Sequence, residues 1–545
     1  MKGSFRQSMA WLHTWSGLVV GWVLFAIFVT GTASYYRADI SRWMRPEFVR
    51  AAPMDASALG AAAERGVAYM ETHAANARAW FIGMPQPDSP VLDLFWRNRP
   101  GEPPNRVALD PETGKPATVR DTMGGDFLFR FHFELHMAPL WGRWAVGICA
   151  MIMLIALVSG IITHKRIFAD FFTFRRDKAP RRSWLDAHNV TGVLALPFHL
   201  MITYTGIVTL ALMYMPWGMN AVYKGDSQAF FAETGQITAP RPPAGKPAAL
   251  APVGPMVKKA LATVSEPLER LTITNRGDAN ATVVAVFEEP HGLSHEHPQV
   301  AFDGVTGAVI QVLQGGLKPA AKTFTTMVGL HEAHFAGTGL RVLFFLCGIM
   351  GSAMVATGIM LWSLARLPKP GERTFFGLRF VQAMNIGSIA GLPAAIAVFF
   401  LANRLLPLDV TDRSAWEIRC FFAAWILAAF IPLFRPHRRA WTEMLTLVSV
   451  LCLAVVVADV ATIERHPLRQ LGYGDPLFLW FDGALLALAG LFMAAGRKVM
   501  VYEVPGRSQH RSERPASLVV QRQANGTPVA SSVRNPRPIA ERRRA

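Results

Sequence analysis

Residues 12–31 read LHTWSGLVVGWVLFAIFVTG, and residues 187–206 read AHNVTGVLALPFHLMITYTG. In both, a histidine is followed four positions later by a glycine and, after seventeen and eighteen, by a Thr-Gly pair: His13, Gly17, Thr30-Gly31 and His188, Gly192, Thr205-Gly206. Each stretch approaches the roughly 20 residues that an apolar helix needs to cross a bilayer. The pattern continues downstream. His136 precedes Arg143 by seven residues and Gly160 by twenty-four, and His334 stands at the same distances from Arg341 and Gly358. Between them, Asp110-x-x-Thr113-Gly114 answers Asp303-x-x-Thr306-Gly307. A unit of span, outer domain and span therefore occurs twice in one orientation, a parallel repeat about an axis along the membrane normal.

The composition agrees with a polytopic α-helical membrane protein. Of 545 residues, 51% are hydrophobic and only 17% charged, against about 25% charged in a soluble domain. Hydropathy places eight spans at about 16–36, 141–163, 189–214, 341–364, 381–402, 416–434, 441–461 and 476–496. The segments sharing a side with the N-terminus, 1–15, 164–182, 366–379, 435–439 and 497–545, hold 27 Lys or Arg and 6 Asp or Glu. Their net charge of +21 exceeds the +17 of the whole chain, and this positive-inside asymmetry predicts that both termini are cytoplasmic. The basic balance thus orients the spans and calls for no nucleic-acid partner.

The predicted organisation is a first span at 1–36, an outer domain at 37–140, a second span and basic loop at 141–188, and a third span at 189–214. A second outer domain follows at 215–340, then a fourth span at 341–364, a four-span extension at 365–496 and a basic tail at 497–545 whose Arg-, Pro- and Ser-rich composition predicts disorder. Each outer insertion combines a helix-forming stretch (Ala56 to Ala74; Val253 to Val264) with short alternating runs, so two small α+β domains are expected.

Symmetry singles out four of the fifteen histidines: His13 with His188 at the cytoplasmic ends, and His136 with His334 at the outer ends. The repeat axis brings each pair to one depth on facing helices, as two axial imidazoles gripping one haem iron require. Ionisable residues within spans are functional by default. His199 shares a helical face with His188 but has Leu24 as its counterpart, and reads as a ligand or a proton-relay residue. His164, opposite Trp362, and His132 and His331 have no histidine partner in this alignment and rank lower as ligands. His132 and His136, at i,i+4, also suit zinc, without an evident third ligand. Arg143 and Arg341, about 10 Å along the helix from their histidines, are propionate partners or interfacial anchors. His291, His295 and His297 with Glu296 form a metal site or a solvated loop.

Cys149, Cys347, Cys420 and Cys452 fall in or beside apolar runs, which speaks against a disulfide framework. The sequence holds no G-x-G-x-x-G, Walker or G-x-S-x-G motif, and no flavin or nicotinamide site is predicted. Electrons, if they enter, come from a quinol, a reduced flavin or a partner protein.

The segments Leu12-His13-Thr14-Trp15-Ser16-Gly17 with Thr30-Gly31, and Leu135-His136 with Gly160-Ile161-Ile162-Thr163-His164-Lys165-Arg166, resemble the PepSY-associated transmembrane family. So do His188-Asn189-Val190-Thr191-Gly192 with Leu196-Pro197-Phe198-His199, and Leu330-His331 with Gly358-Ile359-Met360-Leu361-Trp362. The resemblance runs over residues 5–365, and the outer insertions with their Asp-x-x-Thr-Gly turns are similar to PepSY domains. Members of that family include iron-regulated inner-membrane proteins and the haem-containing ferric-siderophore reductases of Gram-negative bacteria. The resemblance implies a four-helix core in the inner membrane holding b-type haem, two groups by the count of histidine pairs. It would carry electrons to Fe(III) bound by a siderophore in the periplasm. It further implies His13, His136, His188 and His334 as haem-iron ligands, with His199 next. The four spans at 381–496 depart from the family pattern and contain no histidine, His437 and His466 being expected in adjoining loops. Two other classes stay open: a regulatory protein whose outer domains bind a peptidase or ligand, and a transporter of iron, haem or siderophore.

Overall fold

A computed structural model describes residues 4–98, 105–163, 180–368, 372–469 and 475–501. His164 and the tail beyond 501 lie outside the described residues. Among the described residues, seven helices are long and apolar enough to cross a membrane: Phe5–Ser34, Pro139–Thr163, Thr338–Leu364, Phe376–Leu405, Arg413–Phe434, His437–Thr462 and Pro476–Val501. The third predicted span is a bent pair, Arg181–Leu194 and Leu196–Thr209, meeting at 67°. Pro197 opens the second segment, and its missing N–H interrupts the hydrogen-bond ladder there. The first span begins at Phe5, well before its apolar stretch, because Ser4 and Gln7 form a reciprocal capping box. The protein is thus a polytopic α-helical membrane protein, as the hydropathy required.

In the core, the first span packs on the second and the fourth, and the two halves of the bent third span pack on the fourth and the second. The extension is fastened to this core by side-chain amide chemistry. Trp22 Nε1 donates to Asn385 Oδ1 at 2.8 Å, and Asn385 Nδ2 donates to the Ile359 carbonyl at 3.2 Å.

The outer insertions do not form two separate domains. The first supplies β1 (Ala79–Gly83), β2 (Leu92–Trp96) and β3 (Asn105–Leu109); the second supplies β4 (Leu268–Thr274), β5 (Thr282–Phe287), β6 (Gln299–Asp303) and β7 (Val309–Leu313). They join in one antiparallel sheet of order β3-β2-β1-β4-β5-β6-β7, with the seam at β1 and β4, where Phe81 faces Thr272. An unpaired edge leaves backbone donors and acceptors exposed, and the seam removes one edge from each repeat. Helices Ala56–His73 and Val253–Thr263 pack on each other and on the sheet, and Ile82, Leu94, Leu271, Val283 and Phe302 are buried in the shared core. The helices meet at Gly60 and Gly254, where a Cβ on Gly60 would stand 3.1 Å from the Gly254 carbonyl oxygen.

Both Asp-x-x-Thr-Gly turns form the same Asx geometry. Asp110 accepts from the Glu112 and Thr113 amides at 2.9 and 2.7 Å, and Asp303 from those of Val305 and Thr306 at 3.0 and 2.9 Å. Gly114 and Gly307 close them at φ of +68° and +71°, a conformation that costs glycine nothing.

Candidate functional site

His13 of the first span and His188 of the third hold their ring centroids 6.2 Å apart. His13 Nδ1 lies 2.8 Å from the Ala156 carbonyl oxygen and His188 Nδ1 lies 2.9 Å from that of Met354. A carbonyl only accepts, so each Nδ1 carries the proton and the ring lone pair belongs to Nε2, the tautomer suited to metal ligation. Four residues beyond each carbonyl stands a glycine. A Cβ on Gly160 would come within 3.1 Å of the His13 ring, and one on Gly358 within 3.3 Å of the His188 ring.

A second pair repeats this arrangement nearer the sheet domain, and it is not the expected one. His132, at the end of helix Gly125–Glu134, and His331, at the end of helix Pro319–Glu332, place their rings 6.0 Å apart with 27° between planes. His132 Nδ1 donates to the Ile27 carbonyl at 2.8 Å, and His331 bonds the Ile202 backbone and approaches Thr205 Oγ1 at 3.2 Å. Again a glycine follows four residues later. A Cβ on Gly31 would fall 2.5 Å from His132 Nδ1, and one on Gly206 2.8 Å from the His331 ring. Four histidines thus dock on four equivalent units of carbonyl and glycine, one in each core span.

The pairing of His136 with His334 is corrected by the structure. The first pre-span helix stops at Glu134, and Leu135 and His136 turn to φ of +51° and +53°. His136 therefore leaves the face that carries His132, which also removes the i,i+4 zinc reading, and its ring packs near Phe127 and Phe422. His334 instead faces Glu289, its Nδ1 3.2 Å from Oε2. The alignment failed because His132 is separated from His136 by four residues but His331 from His334 by three. Anchoring on Arg143 and Arg341 hid that one-residue difference. The legible signal was His-x-Glu-x-His in one half against His-Glu-x-His in the other.

Both propionate partners expected at the outer ends face carboxylates of this chain. Arg143 donates to Glu134 at 2.7 Å, and Arg341 lies 3.7 Å from Asp39. A cavity of about 300 Å³ beside His13 and His188 is lined instead by Gly358, Trp362, Arg181 and Arg366. The Arg366 guanidinium lies 3.9 Å from the Trp362 ring centroid.

His199 is fully buried and joins neither pair. Its Nε2 is 3.4 Å from the Cys347 carbonyl oxygen, and the ring also interacts with the Gly192 backbone. It touches the fourth span at Gly351 and the Phe28 ring of the first span, next to the Ile27 carbonyl on which His132 docks. The pairs themselves are separated by roughly 20 Å, since Ile27 lies fourteen residues beyond His13 at 1.5 Å of rise each.

In the sheet domain, His295 and His297 cluster around Glu289 rather than Glu296. His295 Nδ1 contacts Glu289 Oε1, and His297 Nε2 lies 3.3 Å from it. Burial pushes the Glu289 carboxyl up, but hydrogen bonds with His295, His297 and His334 outweigh it and hold the group well below the usual carboxylate range. Glu269 and Glu289 push His297 up to about 10 against its burial. Glu296 instead approaches Lys322 at 3.9 Å, and His291 is exposed.

A family model, the PepSY-associated TM region, matches residues 10–364. This chain belongs to the PepSY-associated TM family. The match takes in all four core spans, both docked histidine pairs and the whole composite sheet of this PepSY-associated TM protein, and it ends where the four-span extension begins. Over 383 residues, 66% of this chain and 93% of the relative, it is also 26% identical to an uncharacterized protein of Pseudomonas aeruginosa.

Within the extension of this PepSY-associated TM protein, a buried polar network joins the parts. Arg404 pairs with Asp459 at 2.5 Å, donates to the Trp43 carbonyl at 2.7 Å and lies 3.8 Å from the Trp43 ring centroid. His437 opens the seventh span rather than lying in a loop. His466 does lie in a loop, but buried, its Nε2 3.0 Å from Asp482.

Proposed function

We propose that this protein is a b-type haem electron-transfer protein of the bacterial inner membrane, which reduces periplasmic Fe(III) held by a siderophore. One observation carries the reading: two pairs of imidazoles related by the repeat, every ring backed by a glycine and hydrogen-bonded through Nδ1. The ring centroids lie 6.2 and 6.0 Å apart at the two pairs, a spacing that would admit a metal bonded at about 2 Å to one nitrogen of each ring. The docked carbonyls fix tautomer and ring orientation, as groups around ligating histidines do. The glycines leave room for a ring to approach the helix backbone.

His13 with His188 would hold one haem and His132 with His331 the other, and the haem iron would supply one-electron transfer. Arg181 and Arg366 are placed to neutralise carboxylates at the cavity by the first pair. His199 is buried beside Phe28, on the side of the outer pair. The reaction consumes one electron per iron, Fe(III) becoming Fe(II), from a quinol, a reduced flavin or a partner protein on the cytoplasmic side. Siderophore oxygens are hard ligands that hold Fe(III) far better than Fe(II), so reduction loosens the metal.

Purified protein is expected to show b-type bands in dithionite-reduced minus oxidised spectra, at two haems per chain. Spectra without such bands would end this reading.

A further inference from the structure

Beside the outer histidine pair lies a group of donors that electron transfer does not use. Glu289, His295, Glu332 and His334 each offer one ligand atom, and these atoms all lie within 4.8 Å of one another. Three local features converge them. The loop after β5 is clamped on helix Pro319–Glu332, where the His295 amide donates to the Thr325 carbonyl at 3.0 Å and Gly329 admits the Leu293 carbonyl. That helix ends at Glu332, one residue after His331. Ala333, at φ of +57°, then turns the chain so that His334 folds back to Glu289.

The atoms at the centre point to a ligand. Glu289 Oε1 and His295 Nδ1 are shut off from solvent and in contact with each other, with His297 Nε2 3.3 Å from the same oxygen. Glu332 Oε2 lies 3.7 Å from His295 Nδ1 and 3.6 Å from His334 Nε2. A cation between them would satisfy all four.

We propose that Glu289, His295, Glu332 and His334 form a binding site for a divalent first-row metal ion, which receives Fe(II) on the outer face. Two imidazoles with two carboxylates match the borderline divalent ions rather than Mg²⁺ or Ca²⁺, which take oxygen. The two carboxylates balance the charge of the ion. His297, held between Glu269 and Glu289, positions the latter. The identity of the cargo rests on the reductase reading, since Glu332 adjoins the histidine of the outer pair. No electron moves in this step. Fe(II) exchanges siderophore oxygens for imidazole nitrogens and carboxylate oxygens, and the released oxygens take protons from water.

The test is anaerobic titration of the full-length, detergent-solubilised protein with Co(II) alone, followed by visible absorption, with Fe(II) as competitor. One Co(II) per chain, displaced by Fe(II), is expected. His295→Ala and, from a second element, Glu332→Gln should each weaken binding by about tenfold or more, with thermal unfolding of the protein unchanged. Co(II) binding unaffected in both variants would overturn the site. The haem spectrum is read separately. Co(II) bound normally by protein without haem bands would overturn the reductase reading and the iron cargo, but leave the metal site standing.

Discussion

The rings of His132 and His331 lie 6.0 Å apart and nearly parallel, each on a carbonyl and a glycine of a core span. They form the outer counterpart of His13 and His188, whereas His136 and His334 point elsewhere. Haem content should follow this division. His13→Ala or His188→Ala is expected to remove one haem and His132→Ala or His331→Ala the other, while His136→Ala and His334→Ala retain both. Pyridine haemochrome assay against protein concentration measures it. Loss of haem in His136→Ala with full content in His132→Ala would overturn the pairing.

The docking glycines make a sharper test, because they carry no chemistry of their own. A methyl group at Gly31 or Gly206 meets the outer histidine rings at 2.5 and 2.8 Å. Gly31→Ala and Gly206→Ala should displace those rings at an overpacking cost of about 1–3 kcal/mol and lower outer-haem occupancy. At Gly490 of the last span, away from both pairs, a methyl group would meet no other atom within 4 Å. Gly490→Ala should be neutral or stabilising by up to about 1 kcal/mol through helix propensity. Thermal unfolding and difference spectra separate the three.

The extension is held by charge as well as packing. Asp459→Ala leaves the buried Arg404 guanidinium uncompensated, which should cost about 3–5 kcal/mol. The double variant Arg404→Met with Asp459→Leu removes both charges and should recover most of the loss. Unfolding midpoints of wild type, single and double variants close the cycle. A single variant as stable as wild type would show that the pair contributes nothing.

The turn at Asp303 carries a pH signature. The Arg241 side chain, then the Thr306 amide, holds its carboxyl down to about 2, against about 3.9 in an unfolded chain. A carboxyl depressed in the folded state stabilises above its unfolded pKa, and the contribution is lost as pH falls through the folded one. Asp303→Asn should therefore lower the thermal midpoint at pH 7, and the two proteins should converge between about pH 4 and pH 2. A gap that persists at pH 2 would assign the difference to packing instead.

Much of the site was legible before any coordinates. The matched offsets from His13, His188, His136 and His334 identified the duplicated core, and four of the six span glycines they selected, Gly31, Gly160, Gly206 and Gly358, meet the docked histidine rings, while Gly17 and Gly192 do not. His13 and His188 paired as the repeat implied. The outer pair was misaligned, because one residue more between His132 and His136 than between His331 and His334 is absorbed by a helix end, and helix ends cost little to shift. Nothing in the spacing shows which of two neighbouring histidines a left-handed residue turns away.

The sequence by itself determined that the chain spans a membrane several times, that its core is duplicated and that each half carries an Asp-x-x-Thr-Gly turn. Apolar periodicity and short-range hydrogen bonding are local, so they survive in a linear reading. Only the tertiary structure decided that β1 and β4 fuse the outer insertions into one sheet, that His132 meets His331, and that Glu289 meets His334. Those contacts join segments far apart in the chain, and their geometry depends on how strand edges are satisfied and helices end, which no single segment encodes.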